Sequence, residues 1–234
     1  MSLPRRIFSY LQQKLELGDF FLFLYLSVLI RQYLWVISDN QIAWVLTQMV
    51  AVLLWCTHLR AKEDNVERTP PSFWLVVALP LLLVYLLKFA FPDISVDTLN
   101  HRLIQSERGL SGPLFIPGDF FPTIFPFNPA SDMLTGISRH LLGYRLGTII
   151  NYLSLLYAGL VLNKLLRPFV LNQWWRSLGI VLVLYTEHIL FEINNYMVDL
   201  LMLPLLLEAT RLALHDGNNN KRPTRDLIYT GLYL

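Results

Sequence analysis

The chain has 234 residues, of which 54% are hydrophobic and 15% charged, with a formal net charge of +2. Soluble globular domains carry about 25% charged residues, so one large water-facing domain is excluded, and no basic face suits nucleic acid. A single cysteine, Cys56, excludes an internal disulfide and a cysteine-built zinc site.

The apolar residues fall in blocks of the length that crosses a hydrocarbon core, roughly 17–25 residues. Residues 1–18 are polar and basic, and suit an amphipathic helix on a membrane surface. Arg5, Arg6 and Lys14 precede the first block, but no small-residue cleavage site follows, so the segment reads as an uncleaved anchor. Phe20–Ile37 is the first expected span and Gln41–Thr57 the second, joined by a tight turn at Ser38, Asp39 and Asn40. The polar connector HLRAKEDNVERTPPS closes on Pro70 and Pro71 before a third span, Phe73–Phe91. A long loop, residues 92–143, comes next. Further spans are expected at 145–166, 177–191 and 196–214, with the aromatic connector RPFVLNQWWR between the fourth and fifth. The ending RPTRDLIYTGLYL reads as the opening of a seventh span, and hence the chain as the N-terminal part of a longer protein.

Basic residues set the expected orientation. With six spans, one side receives Arg5, Arg6, Lys14, Arg60, Lys62, Arg68, Lys164, Arg167, Arg176, Arg211, Lys221, Arg222 and Arg225, and the other only Arg102, Arg108, Arg139 and Arg145. The N-terminus is therefore expected in the cytoplasm and loop 92–143 on the outer face. Arg31 and Lys88 lie inside spans. Lys88 can snorkel to the interface, and Arg31 can snorkel or pair with a carboxylate.

The loop carries two helix signals. In the first, Val96, Leu99, Leu103 and Leu110 form an apolar stripe, with Asp97, His101, Gln105 and Arg108 on another face. Such a helix lies in the interface with its polar side up. In the second, Asn128 caps, Pro129 opens, Met133, Leu134, Ile137 and Leu141 form the stripe, and Gly143 stops the helix. Between them, Pro113, Pro117, Pro122 and Pro126 forbid a long helix. Phe115, Phe120, Phe121, Phe125 and Phe127 suit an interface or a groove for an apolar chain.

Ionisable groups beside a bilayer are costly and mark function by default. The expected outer face holds three clusters: Asp93, Asp97, His101 and Arg102; then Glu187, His188 and Glu192; then Asp199. Asp97 either caps the first loop helix or acts in catalysis. Asp199 either serves the dipole of the sixth span or joins a site. His188 and Glu192 form a hydrogen-bonded pair or bind a metal. Trp174 and Trp175 suit an aromatic belt. GxxxxGK[ST], GxGxxG, HExxH, CxxC and GxSxG are all absent, which disfavours a nucleotide-driven pump and a soluble-type hydrolase.

Four features resemble the GT-C class of integral-membrane glycosyltransferases, in particular bacterial relatives of protein mannosyltransferases and lipid A aminoarabinose transferases. An outward loop opens with an acid just after a span, here Asp97 in SVDTLNHRLIQ. Its aromatic, proline-rich part runs through FPTIFPFNPASDMLTGISRHLLG. A span follows directly, in GYRLGTIINYLSLLYAGLVL. A second outward turn opens the next span as YMVDLLMLPLLLEA, with Asp199. The resemblance covers roughly residues 73–214. Many relatives have Tyr-His where this chain has His101 and Arg102, and a second acid where it has Thr98.

The resemblance implies an all-α polytopic transmembrane helical bundle in a bacterial inner membrane. It implies transfer of a sugar from a polyprenyl-phosphate donor to an acceptor at the outer face. It makes Asp97 the catalytic base or a metal-associated carboxylate, and Asp199 the second acid, with Glu192 as the alternative. A divalent metal would be held by Asp97, Glu192 and Asp199. Arg102, with Arg108 and Arg139, would hold the donor phosphate, because a guanidinium fits phosphate bidentately, and His101 would contact the headgroup. The expected partners are membrane lipids, the lipid-linked donor and an acceptor, with no nucleic acid. A transporter or channel subunit, and a non-catalytic scaffold, are the competing readings.

Overall fold

A computed structural model describes residues 24–32, 34, 69–91, 95–96, 98–112, 129–197 and 199–215. Among these the chain is all-α, with no strand. It divides into two compact units, Met1–Arg68 with Phe115–Asp119, and Thr69–Leu114 with Phe120–Leu234. In the first unit, helix α1 (residues 24–32) buries Tyr25, Val28, Arg31 and Gln32. The expected span Gln41–Thr57, the cap Asn128 and the phenylalanine-rich stretch from Phe115 to Phe127 lie outside the described residues.

The second unit is built on helix α2, Pro71–Phe89. Proline opens it, where a missing N–H is harmless. Pro80 then falls in its interior, where the ring removes a donor and crowds the preceding turn. The turn before it, Trp74–Ala78, is widened into a π-helix, and this takes up the misfit. Phe73, Val77, Leu81 and Tyr85 recur every four residues and form the buried stripe. They meet Tyr152, Leu155 and Ala158 of α5 (Ile149–Leu166), and Ile180 and Leu184 of α6 (Gln173–Leu184). Tyr85 and Tyr152 stack with centroids 5.4 Å apart.

Helix α3 spans residues 98–111. It buries Thr98, Gln105, Ser106 and Gly109 and exposes Leu99 and Ile104. The expected polar face is therefore divided. Gln105 turns into the protein, Arg108 stays exposed and His101 is half-buried. Small residues cause this. A Cβ added at Gly136 would stand 3.0 Å from the Ser106 Cβ, so α3 lies almost backbone to backbone on α4 (Pro129–Leu146). Pro129 opens α4 as expected. Gly143, with φ of 82°, interrupts it, in the left-handed region that glycine adopts freely. At Gly147 a Cβ would come 2.6 Å from the Arg139 Cα, so glycine is required by close approach.

Two expected spans change in detail. The fourth starts at Ile149, because Arg145 and Leu146 finish α4. The fifth, expected as one helix over 177–191, is two. Asn172 accepts from the Trp174 N–H at 2.9 Å and starts α6 earlier, at Gln173. The helix ends at Tyr185, Thr186 is extended, and α7 (Glu187–Glu192) follows. At 1.5 Å per residue the 12 residues of α6 rise about 18 Å, less than a hydrocarbon core of about 30 Å. The Tyr185 hydroxyl donates to the Val77 carbonyl at 3.1 Å and ties the break to the π-helical turn.

Helix α8, Asp199–His215, packs along α5. Pro204 cannot donate to the Leu200 carbonyl, and the Ser154 hydroxyl of α5 donates to it instead. The buried Glu208 accepts from Tyr157 at 2.7 Å and from Arg211 at 2.5 Å. Among the described residues, two helices are long and apolar enough to cross a membrane: Pro71–Phe89 and Ile149–Leu166.

Candidate functional site

Among the described residues, a group of ionisable side chains gathers at one end of the second unit. Here α2 and α7 end while α5 and α8 begin. Asn151, in the first turn of α5, makes the joint. Its side-chain amide donates to the carbonyls of Glu192 at 3.0 Å and Asn195 at 2.7 Å. Lys88, at the end of α2, donates to the Phe191 carbonyl at 3.1 Å, and Asn194 donates back to the Lys88 carbonyl at 3.1 Å. Lys88 thus stabilises the C-terminus of α7, where a cation meets the negative end of the helix dipole. The Tyr196 hydroxyl donates to the Tyr144 carbonyl and anchors the same joint on α4.

Four charged groups act on one another at this end. Asp132, in the first turn of α4, is completely buried, with Arg102 Nη1 of α3 standing 3.6 Å from its Oδ1. That is too long for a hydrogen bond, and neither carboxylate oxygen accepts one from a described residue. Burial pushes the Asp132 carboxyl up to about 7; the Arg102 charge holds it down and the Asp199 charge adds to the rise. Glu192 is buried and is also raised, first by burial and then by Asp199, while His188 and Arg102 oppose the rise. His188 Nε2 lies 3.2 Å from Glu192 Oε1. The Arg102 and Asp199 charges therefore bear on both buried carboxyls at this end of the unit.

Of the residues named from sequence, Arg102, Glu192 and Asp199 lie within electrostatic reach of this end. His101 is half-buried beside Arg102 on α3. Arg108 lies in the last turn of α3 and is exposed. Arg139 forms an ion pair with Glu107, whose carboxylate also receives His140 Nε2 at 3.1 Å. That pairing braces α3 against α4. Asp97 and Asp93 lie outside the described residues. Among the described residues, no group of three His, Cys, Asp or Glu side chains is arranged to hold a metal ion.

Sequence reasoning missed Asp132, Asn151 and Glu107. An acid three residues after Pro129 looks like an ordinary helix N-terminal charge. The available signal was its place beside Met133 and Leu134, on a helix whose Gly136 packs on Ser106 and Leu110 of α3.

The described part of the chain is thus an all-α protein with two helices able to cross a membrane and a buried polar site at one end. No family model matches the chain, and neither a curated protein nor a solved structure is similar to it.

Proposed function

We propose that the protein is a polytopic membrane glycosyltransferase that moves a sugar from a polyprenyl-phosphate donor to an acceptor at the outer membrane face. The observation that carries this reading is the gathering of Arg102, Asp132, Glu192 and Asp199 at one end of a helical unit with an apolar exterior. Leu75, Leu83 and Leu87 of α2 are 59%, 53% and 71% exposed, which suits hydrocarbon. A partly buried guanidinium beside carboxyls suits a phosphate with a reacting centre next to it.

In this reading Arg102 binds the donor phosphate and stabilises the charge that grows on it as the glycosidic bond breaks. Asp97, four residues before His101 and five before Arg102, takes the proton from the acceptor hydroxyl. Asp199 and Glu192 hold the sugar and the acceptor in line. The phenylalanine-rich stretch from Phe115 to Phe127 shelters the prenyl chain.

The test follows transfer of labelled sugar from a polyprenyl-phosphate donor in membranes. Asp97→Asn is expected to abolish transfer without lowering the amount of protein in the membrane. Normal turnover by that variant overturns the reading.

A further inference from the structure

We infer that Asp132 is a positioning residue: it serves as the internal counter-ion of Arg102 until an incoming phosphate displaces it. The inference rests on the reading of Arg102 as the phosphate ligand. The geometry that supports it is the imperfect pair itself. Arg102 Nη1 stops 3.6 Å from Asp132 Oδ1, and the Arg102 side chain remains 18% exposed while that of Asp132 is fully buried. The contact is chiefly Coulombic, at a length beyond a good hydrogen bond. A phosphate oxygen can offer Arg102 a bidentate, charge-assisted pair at about 2.7–2.9 Å, so the exposed edge of the guanidinium favours an incoming anion over Asp132.

The exchange has a chemical consequence. Once the guanidinium is neutralised by phosphate, Asp132 is a buried carboxylate that has lost its cation. Such a group takes up a proton rather than remain charged. The other group acting on it, Asp199 of α8, pushes the same way. Glu192 shares both influences, with His188 opposing, but it keeps its histidine when Arg102 is engaged. With Arg102 paired to it, Asp132 titrates at about 7, and losing that cation moves it higher. Phosphate binding therefore consumes one proton at pH values above about 7 and none well below. Affinity is flat in acid and falls as pH rises, by up to about tenfold per pH unit.

The probe is dodecyl methyl phosphate, a phosphodiester whose single negative charge is constant from about pH 5 to 9. It is titrated into the full chain in detergent by calorimetry, in two buffers of different ionisation enthalpy. The expected result is a Kd that weakens several-fold between pH 7 and 8, with uptake approaching one proton per ligand. Asp132→Asn is expected to bind with a Kd independent of pH and tighter than wild type at pH 8, and Asp132→Glu to restore the dependence. Arg102→Gln is expected to lose binding. Dimethyl phosphate separates the sources of the phosphate: weaker binding than the dodecyl diester supports a lipid-linked ligand, and equal binding overturns the lipid assignment. A flat wild-type profile, or an unchanged slope in Asp132→Asn, overturns the inference while leaving Arg102 as a phosphate ligand. Absence of binding by wild type overturns both the inference and that role of Arg102. Sugar transfer by Asp97→Asn tests the glycosyltransferase reading separately.

Discussion

Arg102 Nη1 approaches the fully buried Asp132 Oδ1 to 3.6 Å, on two helices held together by Ser106 and Gly136. An ion pair this loose does not offset the burial of the carboxylate, so Asp132 titrates at about 7 rather than 3.8. The folded state then binds one more proton than the unfolded state between those two values. Stability falls as pH rises through that window and is level above it.

The first prediction follows from this sign. At about 1.36 kcal/mol per pKa unit, the charged carboxylate costs the fold about 4 kcal/mol above neutrality. Asp132→Asn removes the charge but leaves a buried amide, worth roughly 1–3 kcal/mol in unmade hydrogen bonds. That amide cost is the same at every pH, so the variant is expected to gain about 4 kcal/mol relative to wild type on going from pH 4 to pH 8. Thermal unfolding across that range checks it, and a difference constant with pH contradicts it.

Ser154 and Pro204 make a second prediction. The serine hydroxyl serves the Leu200 carbonyl that the proline leaves without a helical donor. Ser154→Ala is expected to destabilise by about 1–3 kcal/mol, the range for a buried carbonyl left unpaired. In a Pro204→Ala background the new N–H takes that role, and the same change is expected to lose most of its effect. A double-mutant cycle measures the coupling; strict additivity would show that the hydroxyl has no such role.

Asn151 holds three carbonyls, those of Glu192, Asn195 and Met197, at the joint between α7 and α8. Asn151→Leu keeps the approximate volume and removes these bonds. It is expected to lower stability by about 2–4 kcal/mol and to make the Glu192–Met197 backbone exchange its amide hydrogens faster. Wild-type protection there would contradict the clamp.

Local chemistry made part of this architecture legible in the sequence. The third span, expected at Phe73–Phe91, is helix Pro71–Phe89, because a proline pair and a continuous apolar run mark a helix by themselves. Pro129 and Gly143 likewise announce the start and the interruption of α4. The break at Tyr185 and Thr186 was hidden, since neither residue is a helix breaker and the tie to Val77 lies 108 positions away. Burial of Gln105 and Asp132 was hidden for a similar reason. Both sit on faces that look polar, and only the small residues of a neighbouring helix bury them. Arg102, Glu192 and Asp199 stood out in the sequence because charge beside apolar runs is rare. The partner that links them, Asp132, looked like a routine helix-terminal acid.

The central claim is that Arg102, Asp132, Glu192 and Asp199 form one site that handles a lipid-linked phosphate. Its most direct test is the release of polyprenyl phosphate from a polyprenyl-phosphate sugar in proteoliposomes. The account predicts a loss of at least about 100-fold for Arg102→Gln, in the range for removing a group that stabilises transition-state charge, and a loss of about 100-fold for Asp199→Asn, in the range for misplaced reactants. Phe169→Ala, at the exposed turn beyond the other end of α5, is predicted to leave the rate unchanged. Wild-type release by both Arg102→Gln and Asp199→Asn would contradict the account.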